Sequence, residues 1–521
     1  MKTISKTILF FTLCISGLLL PGCKDYLNPN PQSLYTTKTF YTSQSDFKLA
    51  ISAVYAKQQD LYDGQTGMLH FLIARSDDSN SVNTNLYSDG AETFTDTSNG
   101  TCTTNVWESL YVIIARCNSI LIRIDKVQFD DVTTRDYIKG EAYAMRAWAY
   151  DNLGKFFGGA PLIVDAEYTA AEIYSIKRSS QAETFAQAVN DYKAAISTLP
   201  ASWGTVDAGR ITKYAADAAL GRLYMFMNQP ANAIPYLEEV INSGIYSLAA
   251  NYEDCFTDAF DNNVAKDRVW EVQYIGGLSG EGQTFSESCM PEGYSGTEGY
   301  ALRGSSAAMQ VSTDMVSSYE TGDYRQTIAT SNQIKGTGAA GYTWCTKFSR
   351  HSYKPQSATD WANNLPIIRY SDVLLMSAEA INATDGPSSK AVAYVDAVRN
   401  RAKLPGLTPL QTASAAALLT AIKKERRSEF MFEGLRWFDL VRWSDFIPVM
   451  TSFLNESDEG NGRYSVNVQT FRSLFAIPQG EIDRYLNSSV MWQNPGYYKL
   501  ILNDLRQVSH TLRSLPFFVR R

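Results

Sequence analysis

The stretch AADAALGRLYMFMNQPANAIPYLEEVINSG, Ala215 to Gly244, constrains the fold more than any other part of the chain. Leu220-Gly221, Tyr224, Ala233 and Leu237 fall at the spacing of two helices packed on one another. Gly and Ala permit a close crossing, while Tyr and Leu fill the groove between the helices. A chain that contains such a pair must cover its outer apolar face, and further pairs are the simplest cover.

The spacing is tetratricopeptide-like, but Asp217 stands where an early Trp is usual, so the unit is degenerate. Similar pairs can be drawn from Tyr137–Phe157 with Thr184–Leu199, from Ile367–Ala383 with Ser388–Ala402, and from Ala415–Glu425 with Ser428–Trp443. Ser45–Leu61 and Val106–Ile124 also carry helical periodicity, the former through Phe47, Ile51, Val54 and Leu61. The expected class is mainly α, with four helix pairs broken by long insertions. One insertion is the polar stretch from Arg75 to Asn105. The larger, Asn251 to Asn364, is rich in Gly, Ser, Thr, Asn and Tyr and holds short strand-like runs, RVWEVQY and YTWCTKF. Long irregular blocks inside a helical body are usually functional.

The N-terminus sets the location. Lys2 and Lys6 precede the apolar run Ile8–Leu20, too short to span a bilayer comfortably, and the run ends in LLPGC. This arrangement resembles a bacterial lipobox, with residues 1–22 as signal and Cys23 as the lipidated first residue. Residues 23–36, rich in Pro and Asn, read as a tether. A lipid anchor makes a membrane-tethered domain rather than a spanning one.

Composition narrows function. Apolar residues make up 45% of the chain, enough for a large core, and the formal charge of −7 excludes a general nucleic-acid binder. His70, His351 and His510 are the only histidines, without HExxH or a Ser/His/Asp arrangement. The five cysteines after Cys23 have long spacings that encode no metal knuckle or disulfide framework. No metal or cofactor is expected. Asp77 and Asp78 lack the spacing of a cation loop and read as solvated turns.

The segment KKERRSEFMFEGLRWFDLVRW, Lys423 to Trp443, looks most like an active site. Read as one helix, it buries Phe430, Gly434, Trp437 and Val441. Glu433, Arg436, Asp439 and Arg442 would then ion-pair on the opposite flank for a few tenths of a kcal/mol per pair. Glu425, Glu429 and Glu433 share one flank and cannot easily face each other across a scissile bond, where carboxylates stand roughly 5–9.5 Å apart.

Several motifs in order carry a resemblance: GCKDYLNPNP, VWESLYVIIARCNSIL, GEAYAMRAWAYDNLGKFFGGAPLIV, NLPIIRYSDVLLMSAEAIN, ERRSEFMFEGLRWFDLVRW, LFAIPQGEID and QNPGY. Behind a lipobox, in this order, they resemble the SusD/RagB family of outer-membrane nutrient-binding lipoproteins. The resemblance covers nearly all of residues 23–498. It implies a single SusD-like domain over 37–498, with a helix-pair scaffold (37–250 and 365–498) and a ligand-binding insertion (251–364). It also implies cell-surface exposure, an oligosaccharide ligand, no catalysis, and a SusC-type TonB-dependent transporter as partner. Peptide capture on the same scaffold and a surface glycoside hydrolase are the alternatives. The basic tail 499–521 departs from the family pattern.

Sugar capture needs flat aromatic faces against C–H surfaces and polar groups at the ring edge. Aromatics on polar loops are therefore the candidates: Tyr87 with Asn83 and Asn85 in the first loop, Tyr294 and Tyr300 in the long insertion, and Trp361. Trp107, Trp148 and Trp270 sit at helical or strand spacing and are expected in the core.

Overall fold

The computed structural model describes residues 40–63, 66–80, 90–164, 168–257, 266–289, 295–296, 299–300, 309–331, 343–348, 355–456, 468–485 and 487–497. Cys23, Asn83, Asn85, Tyr87 and Tyr294 lie outside these residues, as do the signal segment, tether and basic tail.

Helices dominate, and their starts follow from local chemistry. α1 (Gln44–Tyr62) begins at a capping box of Ser43 and Asp46 and buries Phe47, Ile51, Val54 and Leu61. α2 (Met68–Ala74) is buried throughout, and strand β1 (Ser79–Asn80) follows. α3 (Thr101–Leu121) leads to α4 (Val132–Phe157), where Asp131 caps the Thr133 and Thr134 amides. The short α5 (Ala170–Ile173) precedes α6 (Gln181–Ile196), which opens on a second capping box, Ser180 with Glu183. α7 (Lys213–Phe226) and α8 (Pro230–Asn242) complete the first half, the latter with Pro at its first position, where no amide is missed.

The middle of the chain is mostly short elements. β2 (Arg268–Val272), α9 (Phe285–Ser288), β3 (Ser295–Gly296), β4 (Gly299–Tyr300) and β5 (Gln310–Val311) come first. α10 (Thr313–Ser318), α11 (Tyr324–Ala329), β6 (Thr330–Ser331), β7 (Trp344–Cys345) and β8 (Leu365–Arg369) follow. α12 (Tyr370–Asp385), α13 (Ser389–Arg401), α14 (Ala415–Glu429), α15 (Arg436–Arg442), α16 (Phe446–Glu456) and α17 (Gln479–Arg484) close the fold.

Three of the expected helix pairs form: α4 with α6, α7 with α8, and α12 with α13. They are not isolated. α6 also packs on α7, and α8 on α12, so the apolar faces join one core. A Cβ at Gly221 would stand 2.6 Å from the Leu237 side chain, which is why the α7–α8 crossing requires glycine. Trp107, Trp148 and Trp270 are in the core, as their spacing predicts.

The fourth pair differs. α14 runs on to Glu429, the chain then turns through Phe432 (φ 62°) and Gly434 (φ 72°), and only Arg436–Arg442 is helical again. The segment from Lys423 to Trp443 is therefore not one helix with a wet flank. Its acidic residues are buried: Glu429 is 0% and Glu433 5% exposed. Arg369 bonds Glu429 at 2.5 Å and Glu433 at 2.8 Å, Arg325 bonds Glu425 at 2.6 Å and Glu429 at 3.1 Å, and Arg401 bonds both Glu429 and Asp267. Lys347 reaches Glu433 at 2.6 Å. Downstream, Asp439 holds Arg426 and Arg442, each at 2.8 Å. Periodicity within one segment cannot show this, because the partners come from β8, α11 and α13. The expected surface ion pairs are instead a second, charged core beside the apolar one.

Four two-stranded antiparallel sheets stitch the described loops. β2 pairs β8, and β6 pairs β7. β3 pairs β4, setting Tyr300 opposite Ser295. β1 pairs β5, with Ser79 opposite Val311. This last pairing joins the first polar stretch to the long insertion.

Candidate functional site

α2 ends at Arg75, whose guanidinium is fully buried. It donates to Asp96 and to the Ala91 carbonyl, both at 2.7 Å, and to the Arg472 carbonyl at 3.0 Å. It also lies 3.8 Å from the centroid of the Phe94 ring. Arg75 thus clasps both ends of the first polar loop. Within the loop, Asp77 and Asp78 precede β1. Ser312, next to β5, donates its hydroxyl to the Asp77 carbonyl (2.6 Å) and its amide to the Asp78 carbonyl (3.0 Å).

A groove of about 420 Å³ opens here. Its charged lining is Asp77, Asp314, Arg427 and Arg436, with Ser317 and Phe453 nearby. Arg436 forks onto Asp77 at 2.7 and 2.8 Å, and Arg427 reaches Asp77 at 2.9 Å and Asp314 at 2.6 Å. Asp314 keeps 56% of its side chain exposed, so this corner can exchange its partner for a ligand. The arrangement presents donors and acceptors at one rim, as a polyhydroxylated or charged ligand requires.

Asp77 and Asp78 are not in solvated turns: both are buried, because Arg427 and Arg436 arrive from α14 and α15 to pair them. Burial opposes ionisation of Asp77, but the Arg436 and Arg427 guanidiniums outweigh it and hold its carboxyl at about 2. Burial, and then the Asp77 charge, push Asp78 up to about 6. The consequences for stability have opposite signs. The depressed Asp77 stabilises the fold above its ordinary pKa of about 4 and loses that contribution as pH falls through about 2. The raised Asp78 stabilises at low pH and loses its contribution as pH rises from about 4 to about 6. Asp78→Asn is therefore expected to gain on the order of 1–2 kcal/mol over the parent between pH 4 and 7. Thermal melts across that range would show the gap widening with pH; a constant offset would count against this reading.

Trp361 does not stand open. Its ring is 0% exposed and its indole nitrogen donates to Glu287 at 3.1 Å. Asp360 anchors the same stretch by accepting from the Leu278 and Gln356 amides, and Trp361 bridges to Gln283 through the backbone. A loop pinned at both sides turns its ring inward, so Trp361 is a packing residue here and presents no face to a ligand. Arg427 and Arg436, by contrast, reach the groove, whereas the sequence reading gave Arg427 no role and put Arg436 in a helix-flank ion pair. Both lie in a segment read as scaffold.

A second groove, also about 420 Å³, lies between α3, α5 and α17. It is lined by Tyr111, Tyr174 and Tyr485, with Glu108 and Arg484 at its edge. Among the described residues no helix is long and apolar enough to cross a membrane.

Comparison with known proteins gives a consistent result. Residues 328–497 match the model of the SusD family, and residues 25–225 match a model described as starch-binding associating with outer membrane. SusD-like protein P2 of Formosa agariphila is 26% identical over 518 residues, covering 93% of this chain and 99% of that relative. A SusD-like protein of Bacteroides ovatus is 24% identical over 86% of this chain and 85% of its own length. Among solved structures, a laminarin-binding SusD-like protein superposes with a TM-score of 0.73 at 24% identity, covering 88% of this chain and all of its own. Surface glycan-binding protein A of Bacteroides thetaiotaomicron, solved with laminarihexaose, gives 0.73 at 21% identity, covering 87% of this chain and all of its own.

Proposed function

Because the chain belongs to the SusD family, we propose that it captures oligosaccharide at the outer membrane without cleaving it and passes it to a SusC-type TonB-dependent transporter. In this reading Cys23 carries the lipid and the binding face points away from the cell. The carrying observation is the β1–β5 pairing, which brings the first polar loop and the long insertion to one charged groove. Asn83, Asn85 and Tyr87 follow β1 directly, and Tyr294 and Tyr300 precede β5 in the insertion. They remain the candidate ligand contacts of this reading by chain position alone, as tyrosine faces can cover the C–H surface of a sugar. A laminarin-binding SusD-like protein and a surface glycan-binding protein solved with laminarihexaose, both similar in fold, support a β-glucan as the first ligand to try.

The described carboxylates support a non-catalytic reading. Asp77 and Asp78 are consecutive and turn onto the same arginine, rather than facing each other across a bond. Glu425, Glu429 and Glu433 are buried in ion pairs. Peptide capture is the second reading, favoured by the ion-paired corner at Asp314 and Arg427.

Calorimetry on the mature domain tests the proposal. Saturable binding of a β-glucan oligosaccharide, with the sugar recovered intact, is expected. Binding of peptides alone would favour the second reading, and released reducing ends would overturn non-catalysis. Asp314→Ala should weaken glycan affinity roughly 5- to 10-fold, the worth of about one ordinary net hydrogen bond. Thermal stability should barely move, since the exposed Asp314 pair contributes little.

A further inference from the structure

The groove between α3, α5 and α17 is unlike the charged one. Its walls are apolar and aromatic, with Val112, Ile163 and Ile173 beside Tyr111, Tyr174 and Tyr485. Bonds between elements hold its frame. The Tyr111 hydroxyl donates to the Pro161 carbonyl at 2.8 Å, tying α3 to the segment that leads to α5. The Ile163 carbonyl accepts from the Asn118 side-chain amide at 2.7 Å and from the Tyr150 hydroxyl at 3.0 Å. Tyr174 and Tyr485 join α5 to α17, their rings meeting edge to face at 5.3 Å. A groove fixed in this way loses little freedom when it takes a ligand.

Several of its groups call for a polar partner. Tyr485 is only 8% exposed, yet its hydroxyl makes no hydrogen bond among the described residues, and neither does that of Tyr174. At the rim Glu108 and Arg484 stand half exposed 3.7 Å apart, and Arg484 also pairs with Glu481. A wholly apolar occupant, such as a peptide side chain, would cover the Tyr485 hydroxyl and leave it without a partner. An anion would meet two carboxylates against one guanidinium. A neutral pyranose fits both demands. Its C–H face covers the tyrosine rings and aliphatic walls, and its hydroxyls reach the tyrosine hydroxyls and the rim. A ring with equatorial substituents keeps its apolar face unbroken, whereas an axial hydroxyl interrupts it. The volume of about 420 Å³ is that of an ordinary small-ligand site.

We propose that this groove is a second saccharide site, for a neutral, equatorially substituted pyranose such as a β-linked glucose unit. It shares no lining residue with the groove at Asp77 and Asp314. The assignment rests on the reading of the chain as a glycan-capture protein and extends it. A glycan long enough to reach both grooves is held by two contacts, the second formed at the raised effective concentration set by the first.

Calorimetry with laminaritriose on the chain beginning after Cys23 counts the sites. The parent should bind two molecules per chain. Tyr174→Ala removes a ring face, and Val112→Arg fills the groove; each should leave one molecule per chain, at a site that Asp314→Ala weakens. Both positions are 36% exposed, so these variants should fold, and thermal melts check this. A single site that Asp314→Ala weakens and the other two variants leave untouched would overturn the second site and keep the capture reading. A single site lost in those two variants and indifferent to Asp314→Ala would support the second groove and remove the charged one from the reading. N-acetyltryptophanamide, an apolar ring without sugar hydroxyls, is the rival probe. Its binding in the parent and loss in Val112→Arg, with no sugar bound there, would assign the groove to a peptide side chain and overturn the proposal.

Discussion

Glu429→Gln is expected to cost about 3–5 kcal/mol of folding stability, a large part of what a typical domain possesses. Glu429 accepts from Arg325, Arg369 and Arg401, and is fully buried. Burial opposes its ionisation, yet the three guanidiniums hold its pKa well below the ordinary glutamate range. Glutamine fills the same space but carries no charge, so the three cations would share what Glu425, Glu433 and Asp267 can supply. The loss should persist at high salt, because water and ions do not reach the cluster. Urea unfolding at low and high ionic strength measures this directly. A loss below about 1 kcal/mol, or one that salt abolishes, would mean that the pairs behave as screened surface bridges.

Arg75→Met is expected to cost about 2–4 kcal/mol and to impair ligand capture together with stability. Methionine can occupy the apolar space beside Phe94, Trp437 and Phe475, which lie within 3.8–5.1 Å of the guanidinium. It cannot donate to Asp96 or to the Ala91 and Arg472 carbonyls. Asp96 would keep Arg472 at 3.0 Å, while the Ala91 carbonyl would keep only the Phe94 amide at 3.3 Å and the Arg472 carbonyl would lose the Arg75 bond. The loop between them positions Asp77 and β1, so its release should lower glycan affinity even at temperatures where the variant is folded. Arg75→Lys should restore little, because an ammonium does not reproduce the forked geometry. Calorimetry well below the melting temperature separates the two effects: unchanged affinity in a folded Arg75→Met would mean that the clasp serves the scaffold alone.

The contrast between Trp437 and Glu433 shows how far local pattern reaches. Trp437 is 0% exposed, as its place in an apolar stripe implied. Glu433 stood four residues earlier on what looked like the wet flank, yet it faces Lys347 and Arg369. The positive φ angles at Phe432 and Gly434 broke the helical register between them. Trp361 failed for a related reason. Its polar neighbourhood suggested an exposed loop, but Asp360 and Gln283 pin that loop to segments some 80 residues away.

The sequence by itself determined the helical class, three of the helix pairs and the family. These depend on residues a few positions apart: a Ser or Asp before an amide it can cap, an apolar residue one turn from the next, a motif in unbroken order. Only the tertiary structure decided the fate of the charges. Arg436 meets Asp77 across 359 residues, and Arg369 meets Glu433 across 64. A charge on a helix flank has the same local signature whether water or a guanidinium will face it. The pairing that fills the charged core and shapes the groove rests on desolvation and long-range geometry, which exist only once the chain has folded.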